Sequence, residues 1–248
     1  MDKNLWRESY GSLPRLPCPR CAKGKLAGKG EPRLLEPVHI NLEIERQGLQ
    51  GELSEGNFIA FMVCNNGFCG EVATVAGDYR SEEHAQWDEH SEQEERYTTT
   101  AYRIFSFRPA PPIINIPKNL NSDAKRHLKK AFELFWNDYA SCANRLRIVV
   151  EYLLDQFQIE RQGADGGYRS LSGRLKQMKD VKPEQEHLLS ALRWLGNAGS
   201  HDGVVDFKDL ISCFEMLEHV MIELLEERRA KMDADAKRII AAQGKPIR

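Results

Sequence analysis

The spacing of apolar positions changes once along this chain. Before about residue 107, apolar and polar residues alternate in short runs. From Ser122 onward the apolar positions recur at helical spacing. In the first part, Val38-His39-Ile40-Asn41-Leu42-Glu43-Ile44 alternates as a half-buried strand should, and Phe58–Val63, Val72–Val75 and Tyr97–Phe107 read as further strands. The first sixteen residues show no period and read as an extended lead-in. The acidic stretch Ser81–Glu95 interrupts the strand pattern and reads as a solvated loop or short helix. Prolines 109, 111, 112 and 117 then favour extended backbone and mark the domain boundary.

Beyond the prolines, Asn121 or Ser122 can cap a helix by accepting a bond from a free backbone N–H. Leu128, Ala131, Phe132, Phe135 and Trp136 form its apolar stripe, and Asn137-Asp138 marks a break. Ala143, Leu146, Val149, Val150, Leu153 and Leu154 form a second stripe. A flexible loop spans residues 163–167, followed by a short amphipathic helix over Ser170–Lys179. Pro183 opens another helix, whose run through Leu188, Leu189, Leu192 and Leu195 stops at Gly196, the expected left-handed C-terminal residue. Asp206 starts the last long helix, and past Glu226 a charged continuation projects or frays. The pattern predicts an α+β protein, with a small β domain over residues 1–110 carrying an acidic insertion and an all-α bundle over residues 118–248 with a long C-terminal helix.

Composition changes this picture little. Hydrophobic residues make up 41% and charged residues 29%, enough apolar area for a real core, and the net charge of −2 gives no global attraction to nucleic acid or anionic membrane. The charge is uneven, however: residues 15–33 are basic and residues 78–95 acidic. No segment reaches the ~18 apolar residues of a membrane helix, and the N-terminal residues lack the apolar run of a signal peptide. The expected location is the cytoplasm, where clustered cysteines read as metal ligands before disulfides.

Four of the six cysteines are clustered: Cys18 and Cys21 as C-x2-C, Cys64 and Cys69 as C-x4-C. Two such turns supply the four thiolates of a closed tetrahedral site, so structural Zn2+ is expected, folding a zinc-ribbon-like β unit. Four thiolates leave no open position for catalysis. The basic residues around the first pair can contact phosphates, although aromatic residues for base stacking are sparse nearby. Cys142 and Cys213 sit alone within apolar helical patterns and read as buried, inert thiols.

Arg147 and Glu151 are four residues apart and share a helix face. Glu151 borders an apolar stripe, so it needs a partner: Arg147, or Arg193, Asn197 and His201 from the corner ALRWLGNAGSHDG. The N-terminal cysteine pairs, the segment Asn144-Arg-Leu-Arg147-Ile-Val-Val-Glu151 and the later Gly196-Asn197-Ala-Gly-Ser-His201 together resemble domain of unknown function 4145, grouped with the HEPN-like helical domains of bacterial defence and toxin–antitoxin systems. That resemblance implies a HEPN-like bundle over residues 118–226 that forms a homodimer through the helical domain. Active members use an arginine shortly before a histidine as a metal-independent ribonuclease site completed across the dimer. Here Gly196 stands near the expected arginine position, and the nearest upstream arginine is Arg193.

Three functions follow as expectations. The first is a non-catalytic, zinc-containing HEPN-like binding or regulatory module with an RNA or protein partner, a component of a bacterial anti-phage defence or toxin–antitoxin system. The second is a metal-independent endoribonuclease using His201 with Arg193 or Arg147, with Asn197 and Glu151 beside them. The third is a protein that binds nucleic acid through the basic ribbon.

Overall fold

The computed structural model describes residues 1–88, 93–163, 166–201, 203–226 and 228–243. Residues 89–92 of the acidic stretch, 164–165 of the predicted loop, and 244–248 at the end of the predicted bundle lie outside the described residues. The architecture is α+β, an antiparallel sheet followed by a helical region. The chain divides into two compact units. One comprises residues 2–113 with 132–138; the other comprises residues 114–131 and 139–248 with Met1.

In the first unit, strands β1 (Leu16–Pro17), β2 (Lys25–Gly28), β3 (Arg33–Leu35), β4 (Leu53–Cys64), β5 (Val72–Asp88) and β6 (Gln93–Arg108) form one sheet in the order β1-β2-β4-β5-β6. Strand β3 pairs with β4 beside β2. Every pairing is antiparallel. Alternation works as expected on β4, where Phe58, Ala60, Met62 and Cys64 are buried and their neighbours face outward. Trp6, Tyr79, Ile104 and Phe107 join them in the core, and Trp6 meets Phe135 edge-on at 5.8 Å while Phe107 meets Trp136 at 5.1 Å. The lead-in is therefore partly ordered: Lys3–Leu5 forms a 3-10 turn, and Tyr10 bridges Tyr102.

Two local expectations fail in this unit. Val38–Arg46 is not a strand but helix α1, ended by Gly48 at φ +72°, with the Leu49 N–H bonded to the Ile44 carbonyl. Its alternation places only Ile44 in the core and leaves Val38 exposed. Pro37 at the start and Gly48 past the end were helix signals that outrank the period of two. The described residues of Ser81–Glu95 are not a loop or helix either. They extend β5 and β6 into a hairpin held by cross-strand pairs: Ser81 with Thr100 at 2.8 Å, His84 with Thr99 at 2.7 Å, and the His84 ring tilted against Tyr97 at 5.3 Å.

The second unit follows its helical stripes closely. It contains α3 (Tyr139–Gln156), α4 (Leu171–Val181), α5 (Pro183–His201), α6 (Phe207–Met221) and α7 (Arg228–Ala241), while α2 (Ser122–Leu134) begins within it. Asn121, Ser170 and Asp206 cap α2, α4 and α6, each accepting from an N–H of the first turn. The stripe Leu146, Val149, Val150, Leu153 and Leu154 of α3 is buried, as are Leu189 and Leu192 of α5 and Leu210, Phe214 and Leu217 of α6. Cys142 and Cys213 are buried too; Cys142 donates to the Ala131 carbonyl, and burial pushes the Cys213 thiol up to about 12. Residues 222–226 continue α6 as a π turn, and α7 is helical although it buries no side chain among the described residues.

Helix α5 does not stop at Gly196. It runs to His201, and Gly196 has no positive φ. This glycine serves close packing: a Cβ would sit 2.6 Å from Arg147 Cβ and 3.0 Å from the Ala143 carbonyl oxygen. Gly199, one turn on, would meet the Ala140 carbonyl oxygen at 2.6 Å. Ala140 opposite Gly199 and Ala143 opposite Gly196 show that α3 and α5 run antiparallel at this crossing, with small residues setting the distance.

Candidate metal centre

The sheet explains how two short cysteine motifs meet. Cys18 and Cys21 lie in the turn joining β1 to β2; Cys64 ends β4, and Cys69 lies in the turn before β5. Because β2 pairs with β4 at Leu26↔Cys64, the two turns sit side by side at one end of the sheet. All four Sγ atoms fall within 4.8 Å of one another. Cys18 and Cys69 are 3.8 Å apart and Cys21 and Cys64 3.7 Å, so each close pair draws one sulfur from each turn. Sulfurs placed ~2.3 Å from one tetrahedral ion would be separated by about 3.8 Å. The donor set therefore fits a single metal ion without rearrangement.

The surrounding groups suit thiolates. The Gly24 N–H donates to Cys21 Sγ at 3.3 Å, and the Asn66 amide donates to the same sulfur at 3.7 Å. Backbone N–H groups of Gly24 and then Lys23 lower the Cys21 thiol to about 6, whereas burial pushes Cys64 up to about 12. The first turn closes with Cys18 N–H on the Gly24 carbonyl at 3.0 Å, the second with Cys64 N–H on the Glu71 carbonyl at 2.8 Å. Gly70 takes φ +57° there, where a side chain would be strained.

Gly24 is also required by the site. A Cβ would overlap Cys64 Sγ and lie 2.9 Å from Asn66 Cβ. Gly24→Ala is expected to weaken metal binding by about tenfold to a hundredfold, the usual effect of disturbing the groups around a metal's ligands. Competition with a coloured chelator measures it; unchanged affinity would show that the four sulfurs do not hold the metal together.

The residues of the ALRWLGNAGSHDG corner are less gathered. Arg147 donates to Glu151 at 3.0 Å and to Asn144 at 3.2 Å, the helical i,i+4 pair expected from the spacing. The second described partner of Glu151 is Arg161 at 3.6 Å, from the loop after α3, rather than Arg193, Asn197 or His201. The Arg193 guanidinium lies 4.2 Å from the centre of the neighbouring Trp194 ring, and its Nε is buried with no hydrogen-bond partner. Asn197 is half-buried within α5. His201 is exposed at the end of that helix.

Sequence reasoning missed the densest polar cluster of the helical unit. Arg174, 2% exposed on α4, donates to Asp155 at 2.6 Å and to the carbonyls of Ile159 and Glu151. Arg161 adds a two-pronged contact to Asp155. Its ring-facing side lies 5.2 Å from Tyr152, which stacks on His127. Burial, then Arg145 and Arg126, hold His127 below the ordinary imidazole value, in keeping with the Arg145 guanidinium 3.1 Å from Nδ1. Arg174 shares α4 with the apolar Leu171, Leu175 and Met178, and its place between Gly173 and Leu175 was the available signal.

Comparison with known families divides the chain similarly. Residues 129–240 match the domain of unknown function DUF4145, which supports the resemblance carried by Arg147–Glu151 and Gly196–His201. Residues 9–105 match a second domain of unknown function, DUF8608. No curated protein and no solved structure gives a significant match.

Proposed function

We propose that this two-family chain is a non-catalytic binding or regulatory module: a β unit stapled by structural zinc at Cys18, Cys21, Cys64 and Cys69, joined to a HEPN-like helical domain that dimerises. Zinc suits four thiolates at tetrahedral spacing and needs no further ligand. The dimer and a place in bacterial anti-phage defence or a toxin–antitoxin pair rest on the family resemblance.

The observation that carries the non-catalytic reading is the continuity of α5. Arg193 and His201 stand on one unbroken helix, separated by eight residues, about 12 Å along the axis and roughly 80° around it. That spacing does not favour a general acid and a phosphate-binding guanidinium from one chain meeting on one phosphodiester. Arg147, the other candidate, is occupied by Glu151 and packed beneath Gly196.

The test is RNA cleavage in EDTA. The purified chain is expected to leave single-stranded RNA intact, with His201→Ala indistinguishable from the parent. Metal-independent cleavage abolished by His201→Ala would overturn the reading in favour of the endoribonuclease.

A further inference from the structure

The face of the sheet turned away from its core carries a pattern that the metal centre leaves unused. Directly opposed residues of antiparallel strands share a face, so the register sorts the outward positions into rows. The Lys29 N–H bonds the Phe61 carbonyl at 2.8 Å, which sets Lys29 beside Phe61, with Arg108 two strands away in the same row. Arg33 pairs with Ile59 in the next row. Asn57, Asp78 and Arg103 follow in the third, and Val63 with Val72 lies beyond Phe61. Phe61 is 57% and Ile59 52% exposed, so nothing among the described residues covers this strip. Phe105, at the bulge of β6, lies beneath Arg103, whose guanidinium is 5.4 Å from its ring centre.

The charge on this strip differs from that of the molecule. Among the described residues of these rows, Lys29, Arg33, Arg103 and Arg108 face a single acid, Asp78, although Arg108 also pairs with Glu133 at 2.9 Å. The chain as a whole is at −2. Cations therefore stand on two flanks three strand spacings, about 14 Å, apart, with the apolar Phe61 and Ile59 between them. A ligand matching both features is a polyanion with flat apolar faces.

We propose that this outward face binds single-stranded nucleic acid. Bases stack on Phe61 and on Phe105 with Arg103, and phosphates run along Lys29 and Arg33 on one flank and Arg103 and Arg108 on the other. Contacts of this kind read ring faces and backbone, so they tolerate sequence and either sugar. A duplex hides its base faces and is not a ligand. The proposal rests on the binding-module reading in one respect, that the strand is held and not cut. It places the contact on the sheet face and not on the basic first cysteine turn or the fully exposed Phe68 at the tip of the second.

The experiment is fluorescence anisotropy of the full chain with labelled oligo(dT), oligo(U) and a duplex control. Both single strands are expected to bind and the duplex not. Four phosphate contacts give a slope of about −3 in log affinity against log salt. Phe61→Ala is expected to weaken binding about tenfold, and Lys29→Glu, on the surface and remote from the core, to weaken it further. Phe68→Ala should leave it unchanged, with metal content and helical circular dichroism equal in all variants. No binding, or a loss confined to Phe68→Ala, would overturn the proposal. So would a Phe61→Ala variant that sediments as a smaller species with oligonucleotide affinity intact, since the face would then cover a second copy. Cleavage of oligo(U) would remove the non-catalytic reading alone, because oligo(dT), lacking the 2′-hydroxyl, still reports binding at the face.

Discussion

Arg174→Ala is expected to destabilise the helical unit by about 3–5 kcal/mol, the range for breaking a buried ion pair by removing one partner. The side chain is 2% exposed and makes a charged bond to Asp155 at 2.6 Å and bonds to the Ile159 and Glu151 carbonyls. Alanine would leave a carboxylate with Arg161 as its remaining described partner and would strip two carbonyls of a donor. Lysine supplies one point charge where a planar fork reaches three acceptors, so Arg174→Lys should recover less than half the loss. Urea unfolding followed by helical circular dichroism measures both; a loss under ~1 kcal/mol would show that the cluster is solvated in solution.

The same cluster fixes an acid limb. Burial alone would raise the Asp155 carboxyl, but the bonds from Arg161 and the charge of Arg174 outweigh it, leaving Asp155 below the ordinary aspartate value. A group depressed in the folded state contributes stability that is present above its unfolded value and lost as pH falls through the folded one. The Asp155 contribution should therefore be lost as pH falls from the ordinary aspartate value to the depressed folded one, and Arg174→Ala should flatten that fall.

Removing the metal is expected to have the second large effect, confined to the sheet unit. The parent should carry one zinc per chain by elemental analysis, and Cys64→Ser none. Apparent zinc-binding energies in small zinc domains reach ~10–16 kcal/mol. This unit has a core of its own in Phe58, Met62, Tyr79, Ile104 and Phe107, so only part of that energy supports its fold. Chelation should melt the end of the sheet where Leu16, Leu26 and Cys64 are buried against the two turns, while the helical signal persists. A parent that carries no metal as purified, and whose melting neither chelator nor added zinc changes, would end the metal-centre reading.

The two failed strand and loop expectations share a cause. At Val38–Ile44 the alternation was genuine, but the framing by Pro37 and Gly48 decided for helix. Over Ser81–Glu95 the acidic composition suggested solvation, whereas cross-strand partners on β6 recruit those residues into a hairpin. Pairing partners far along the chain leave no local mark. Helices close their hydrogen bonds within four residues, which is why α2 to α6 and their caps Asn121, Ser170 and Asp206 were legible.

By itself the sequence determined the α+β order, the change of period at the prolines, the two cysteine pairs and the Arg147–Glu151 pair, all set by short spacings. Tertiary structure alone decided that β2 and β4 bring the two cysteine turns together and that Gly196 is a helix-crossing contact and not a helix end. It also decided that Arg174 is buried, and that Lys29, Phe61 and Arg108 share one open face. Each of these depends on which distant backbone lies alongside, a choice made by the summed burial of both partners and carried by neither segment alone.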